Sequence, residues 1–419
     1  MLLISGWPLL IFEPLFTMQL RNYQKEIASK AHKILSSHKI VLIAAEVRTG
    51  KTLMALETAR LYGAKHVLFL TKKIAMSSIS DYNTFYASHF QLTVINNESV
   101  HKIPPEYDLV IVDEVHRLSG FPKPSKQAKD IRARFHECPM ILLSTPAPES
   151  YAQMYHEFWI SDASPWSHKK YKSFYRWADE YVNKRQIRTS YFATDYSDAD
   201  MGKVLGTMKH LMLTHTQEQS GFSTSVTEEV LHVRMKPSTY ALAEKLTKDL
   251  VVQKTELIMA DTVKLMMKLH QIYSGTVKFE SNSMTLDDSK AQFIKERFAG
   301  MRIGVYYNFK EELTMLKSVF GSELTESIEQ FDSGSHRIIA LQIVSGREIS
   351  LRHAEHIVFM NIQFSCTSYL QARDRMTTME RKENKIYWIF SEGIEDKIYK
   401  TVLKKQDYTL RIFNRDFSL

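Results

Sequence analysis

Residues 39–59 read KIVLIAAEVRTGKTLMALETA, and the change of pattern inside them decides the fold. Residues 40–44 are apolar without polar alternation, as a strand covered on both faces is written. A turn holding Gly50 follows, and the spacing of residues 52–62 predicts a helix. Strand, glycine turn and helix make the βα unit of a parallel sheet. The turn also has chemistry in it. Gly50 lets the main chain approach an anion, the N–H groups at the helix start point at it, and the helix dipole favours negative charge there. Lys51 would neutralise the β- and γ-phosphates of a nucleotide, the Thr52 hydroxyl would ligate Mg²⁺, and Arg48 and Thr49 belong to the same turn. The strict pattern GxxxxGK[ST] fails at its first position, where Ala45 stands. Taken alone, these residues leave open an ordinary βα turn capped by Gly50 and Thr52.

Outward from this unit the same pattern recurs. Residues 66–71, 92–95, 109–112 and 140–144 are short Val-, Ile- or Leu-rich runs, and helical spacing appears between them, as over 126–135. Residues 151–226 change character. They are aromatic and charged, read as helices, and end in a linker around 220–225. A second series follows, with helices expected at 237–247 and 262–273 and strands at 302–307, 337–342, 356–361 and 385–390. The fold class is therefore α/β, with two lobes of comparable size.

The strand expected at 109–112 runs into Asp113-Glu114-Val115-His116. Carboxylates there sit at the sheet edge where α/β folds bind ligands. Asp113 would hold Mg²⁺, and Glu114 would orient and deprotonate an attacking water, a role worth about 10²–10⁴ in rate. An acidic loop after a strand is the alternative. The order of the two elements, Lys51 first and the carboxylates later, favours one joint chemistry.

The chain has 419 residues, 44% of them hydrophobic, so it has apolar mass for more than one core. A formal net charge of +8 favours a polyanionic partner. Two cysteines, Cys138 and Cys366, are too few for a disulfide framework or a four-cysteine metal site. Residues 1–17 are apolar but carry Glu13, Pro8 and Pro14 and are too short to span a bilayer. They read as an extension packed on the first lobe, or as absent if translation starts at Met18, with a weak signal peptide as the alternative. No membrane contact is expected.

The phosphate turn and the Asp-Glu-x-His run resemble motifs I and II of superfamily 2 helicases, and the wider chain is similar to the Swi/Snf-type branch, from residue 20 to about 405. Leu20-Arg21-Asn22-Tyr23-Gln24 resembles the LRxYQ element, which implies that Gln24 contacts adenine. Lys72 and Lys73 stand at motif Ia and imply phosphate contacts along a nucleic-acid track, for which residues 169–176 (KKYKSFYR) are a second candidate. Ser144-Thr145-Pro146 resembles motif III and, with His116, implies coupling between the ATP site and that track. Residues 305–309 suit motif IV and 345–351 motif V, while Gln371-Ala372-Arg373-Asp374-Arg375 resembles the start of motif VI. That likeness implies that Gln371 and Arg375, four apart on one helix face, reach the γ-phosphate from the second lobe. Two departures stand out. Arg48 replaces the first glycine of GxGKT, and Thr378 stands where motif VI carries a second arginine.

The resemblance implies two RecA-like domains in tandem, spanning about 18–222 and 226–419, with a helical aromatic and basic insertion from about 151. It implies an ATP hydrolase, a helicase or translocase using ATP and Mg²⁺, whose partner is duplex or branched DNA. It further suggests a monomer in a bacterial or phage-infected cytosol with a role in replication, recombination or repair. An RNA helicase, an ATP-gated clamp with little turnover and a small-molecule P-loop kinase are the alternatives, the last leaving the second lobe unexplained.

Overall fold

The structure is a computed structural model. It describes residues 19–146, 150–166, 171, 173–188, 192–222, 225–253, 257–259, 262–279, 282–343, 351, 353–366, 369, 373 and 383–404. The expected elements 1–17, 345–350, Gln371 and Arg375 lie outside the described residues.

The first lobe is built on β1 (Ile40–Ala45), β2 (His66–Thr71), β3 (Gln91–Asn96), β4 (Leu109–Val112), β5 (Met140–Ser144) and β8 (Met212–His215). They form one six-stranded sheet in the order β3-β2-β4-β5-β1-β8, parallel throughout. Every residue of β1, β4 and β5 is buried, so the missing polar alternation has its cause in helices on both faces. Alternate residues feed two cores. Leu42, Leu70, Val112 and Leu142 enter one, and Ile43, Phe69, Ile111 and Leu143 the other. Each fully buried Leu or Ile contributes roughly 1.5–3 kcal/mol. Helix α1 (Asn22–His38) opens with Arg21 N donating to Gln24 Oε1 at 2.9 Å, and α2 (Lys51–Tyr62) has Gly50 just before its first residue.

The aromatic insertion departs in part from expectation. Helices Gln153–Trp159, Phe174–Tyr181 and Met201–Met208 are present, but an antiparallel hairpin, β6 (Arg185–Arg188) with β7 (Phe192–Asp195), stands among them. The segment 169–176 is not a stacking surface along its described length: Tyr171 and Phe174 are buried with Tyr155, Trp166 and Trp177 in the lobe's core, and Tyr175 is the exposed aromatic. The expected linker gives way at Ser225 to β9 (Ser225–His232). Besides that hairpin, the edge strands β8 and β9 escaped the sequence reading. Each is an edge strand with one neighbour, and β9 alternates exposed and half-covered residues, so neither has the continuous apolar run of a central strand.

Two small hairpins, β10 (Val251–Gln253) with β11 (Leu257–Met259) and β12 (Thr276–Lys278) with β13 (Ser283–Thr285), precede the main strands of the second lobe. Those are β14 (Ile303–Tyr307), β15 (Leu324–Thr325), β16 (Ile338–Gln342), β17 (His356–Phe359) and β18 (Glu383–Phe390). Together with β9 they form a second six-stranded parallel sheet in the order β15-β16-β14-β17-β18-β9. Its core encloses an ion pair: the Lys290 ammonium and Glu395 carboxylate are both wholly buried, and Ser391 N and Oγ donate to Glu395 Oε2 at 2.7 and 2.8 Å. Two parallel sheets flanked by helices are two tandem RecA-like domains. No described helix is long and apolar enough to cross a membrane.

Candidate functional site

In the first sheet β5 lies between β1 and β4, so the turns after these three strands emerge side by side at one edge. The turn after β1 holds the phosphate-loop residues. Gly50 has φ +86°, the left-handed conformation that glycine adopts without cost, and a Cβ there would meet Gln24 Nε2 at 2.3 Å. Arg48 has φ +64°. A non-glycine residue in this conformation carries about 1–2 kcal/mol of strain. Thr49 is buried and its Oγ1 donates to Glu46 O at 2.8 Å. Lys51 Nζ donates to Ala45 O at 2.8 Å, curling over the loop. Thr52 is the second residue of α2, as a metal-ligating hydroxyl at a helix start should be.

Gln24 is 4% exposed. Its Oε1 accepts from Arg21 N and its Nε2 donates to Thr49 O at 3.1 Å, with Tyr23 Oη donating to the same carbonyl at 3.0 Å. Both ends of the Gln24 amide, expected to contact adenine, are bonded within the protein, in a role that sequence reading missed: Gln24 and Tyr23 brace the phosphate loop.

After β4, Asp113 Oδ2 accepts from Thr71 Oγ1 of β2 at 2.9 Å, which fixes the carboxylate intended for Mg²⁺. Thr71 had no motif to announce it. Glu114 follows in a left-handed conformation, φ +51°. Burial pushes its pKa up, but the charges of His116, Lys51, Lys72 and Arg117 outweigh burial and hold it down at about 2. Lys51 and both motif II carboxylates are thereby gathered at one edge. Lys72 belongs with them electrostatically, while Lys73 is exposed. At neutral pH Glu114 is ionised.

His116 joins two motifs. Its Nε2 lies 3.3 Å from Glu114 Oε2 and its Nδ1 3.1 Å from Ser144 Oγ at the end of β5, and both His116 and Ser144 are buried. Thr145 follows directly. Behind His116, Ser119 Oγ donates to its carbonyl at 2.8 Å, and Glu157, wholly buried, lies 3.5 Å from the same hydroxyl. Burial pushes the Glu157 pKa up to about 8. Sequence reading missed this group, since a glutamate in an aromatic run looks like solvated surface.

In the second lobe the ends of β14, β16 and β17 are sewn together. Asn308 N and Phe309 N donate to Glu312 Oε2 at 2.6 and 2.8 Å, Asn361 Nδ2 to Glu312 Oε1 at 3.2 Å, and Gln342 Nε2 to Asn308 O at 3.3 Å. Arg373 reaches Glu228 of β9, 3.9 Å away, within its own lobe. Among the described residues no cluster of three His, Cys, Asp or Glu could hold a metal, so a metal here would need Thr52, Asp113 and substrate oxygens together.

No family model matches the sequence, and no curated protein does either. Among solved structures the chain is similar to the Sulfolobus solfataricus SWI2/SNF2 ATPase core in complex with dsDNA, at 13% identity and a TM-score of 0.43, covering 92% of this chain and 91% of that one. It is similar to the Pyrococcus furiosus Hef helicase domain, also at 13% identity, with a TM-score of 0.48 over 92% of this chain and 98% of that one. The Sulfolobus solfataricus SWI2/SNF2 ATPase core domain is similar at 13% identity and a TM-score of 0.41, over 96% and 92%. These likenesses are of fold alone, and the two tandem RecA-like domains stand on the strand orders themselves.

Proposed function

We propose that this chain is an ATP-driven translocase of the superfamily 2, Swi/Snf-type kind, acting on duplex or branched DNA. The observation that carries the reading is the convergence of Lys51, Lys72, Asp113 and Glu114 at the edge where β1 and β4 end, in residue types that match motifs I, Ia and II. Lys51 would draw the β- and γ-phosphates, with the main chain before α2 supplying N–H donors. Thr52 and Asp113 would hold Mg²⁺, which when bound neutralises phosphate charge. Glu114 would hold the attacking water, and His116 would pass the state of Glu114 to Ser144 and the segment after β5.

From the second lobe, Gln371 and Arg375 would complete the site. Arg373 faces Glu228 in its own lobe, so Arg375 is the arginine we assign to the γ-phosphate, with no second one at Thr378. An arginine in that role is worth about 10³–10⁵ in rate. The motif resemblance favours a duplex track, and a role in replication, recombination or repair follows from the same analogy. The test is ATP turnover across linear duplex, forked and four-way-junction DNA, single-stranded DNA and RNA. Greatest stimulation by a duplex or junction supports the proposal. Stimulation by RNA alone overturns the choice of track, and a single turnover on every polymer makes the protein a clamp.

A further inference from the structure

The phosphate loop has an unusual composition for its task. Glu46, Val47, Arg48 and Thr49 precede its one glycine, and Arg48 is held left-handed. A loop with this much side chain and strain keeps one conformation only if its surroundings fix it. Part of the fixing comes from α1, through Tyr23 and Gln24. The rest comes from a segment about 170 residues away.

That segment is the chain leaving the first sheet. Glu46 N donates to His215 O at 2.9 Å, at the end of β8. Gln217 N donates to Glu46 Oε2 at 2.7 Å, and Gln217 Nε2 donates to Val47 O at 3.0 Å. The His215 ring stacks on Tyr23 with centroids 4.8 Å apart, so the two braces touch. His215 Nε2 in turn lies 2.9 Å from Ser220 Oγ, and the turn closes at Gly221 with φ +83°. Four residues further on, β9 begins as a strand of the second sheet.

We infer that residues 215–221 form a clasp that sets the phosphate loop, with Gln217 as its positioning residue, and that the clasp ties nucleotide affinity to the connection between the two sheets. The inference rests on the ATP-site reading above. Gln217 is assigned no contact with nucleotide or reacting atoms. It acts by fixing the Val47 carbonyl and the Glu46 carboxylate, and thus the path of the N–H groups that would meet phosphate. Any displacement of the chain between β8 and β9 reaches the loop through these bonds, and a loop held by nucleotide resists that displacement equally.

The experiment compares full-length wild type with Gln217→Ala, Glu46→Ala, Glu46→Gln and Lys51→Ala. It reads KM for ATP, kcat on saturating duplex DNA, direct titration with a fluorescent ATP analogue, and Tm. Loss of a hydrogen bond of this kind predicts a three- to tenfold rise in KM and in the analogue's Kd for Gln217→Ala, about as large for Glu46→Ala. The expected kcat stays within about twofold, and Tm is unchanged. Glu46→Gln keeps an oxygen for Gln217 N–H and recovers most of the affinity lost in Glu46→Ala. Unchanged KM and Kd in Gln217→Ala and Glu46→Ala, while Lys51→Ala loses binding, overturn the clasp and leave the ATP site standing. A fall in affinity accompanied by an equal fall in Tm, without recovery in Glu46→Gln, also overturns it. Wild type that binds no nucleotide overturns the site and the clasp together.

Discussion

Glu157→Gln is the substitution whose effect the structure fixes most closely. Glu157 is wholly buried in the aromatic insertion, and its Oε2 has no partner among the described residues. Ser119 has one proton, and it goes to His116 O at 2.8 Å rather than to Glu157 at 3.5 Å. Burial raises the cost of a charge there and the distant Ser119 hydroxyl offsets little of it, so the carboxyl keeps its proton until about pH 8, against an ordinary value of 4.5. The folded chain then binds a proton that the unfolded chain releases. Stability from this group is full below about pH 4.5 and declines as pH rises toward 8. At about 1.4 kcal/mol per pKa unit the ceiling is near 5 kcal/mol, and water entry and local relaxation leave on the order of 2–3 kcal/mol. Glutamine has the same shape and no charge to bury. The assay is Tm by calorimetry from pH 5 to 8.5 for wild type and Glu157→Gln. Every other group titrates alike in both proteins, so their difference isolates Glu157. At roughly 2–4 °C per kcal/mol for a lobe of this size, the variant gains about 5–10 °C on wild type between pH 5 and 8. Parallel profiles would refute the argument, because they would mean that the carboxylate finds solvent or a partner on ionising.

Three further outcomes follow from the same geometry. His116→Ala removes the bridge from Glu114 to Ser144, so DNA-stimulated ATP turnover falls at least tenfold while unstimulated turnover changes little; an equal fall in both rates would assign His116 to chemistry instead. Lys290→Met leaves the Glu395 carboxylate buried without its ammonium and lowers stability by about 3–5 kcal/mol in a denaturant titration, and adding Glu395→Gln restores much of it. Arg48→Gly relieves a left-handed non-glycine residue and raises stability by up to about 1 kcal/mol, with ATP turnover retained, which thermal unfolding and a steady-state assay together check.

The sequence made the central strands plain because burial on both faces leaves no room for polar residues. Residues 66–71, 109–112 and 140–144 are strands to the residue. Two edge strands were hidden for the converse reason, although the edge strand β3 was legible at 92–95. β8 and β9 have one neighbour each and keep polar side chains, so they resemble linker. In the site, Lys51, Asp113 and Glu114 were legible because phosphate chemistry restricts residue type at fixed spacing. Thr71, Glu46, Gln217 and Glu157 were not, since each acts through a contact made across the fold, and a Thr, Gln or Glu alone carries no signal of what will face it. The aromatic residues of 169–176 misled by composition: the described ones other than Tyr175 serve the insertion's core.

The central claim is that Lys51 and the motif II carboxylates form one ATP-hydrolysing site driven by nucleic acid. Steady-state phosphate release by wild type and Lys51→Ala, with and without saturating duplex DNA at several salt concentrations, tests it most directly. The account predicts many turnovers by wild type, stimulated by DNA and falling steeply with salt, and a rate at least 100-fold lower for the folded variant. Turnover by Lys51→Ala close to that of wild type would contradict it.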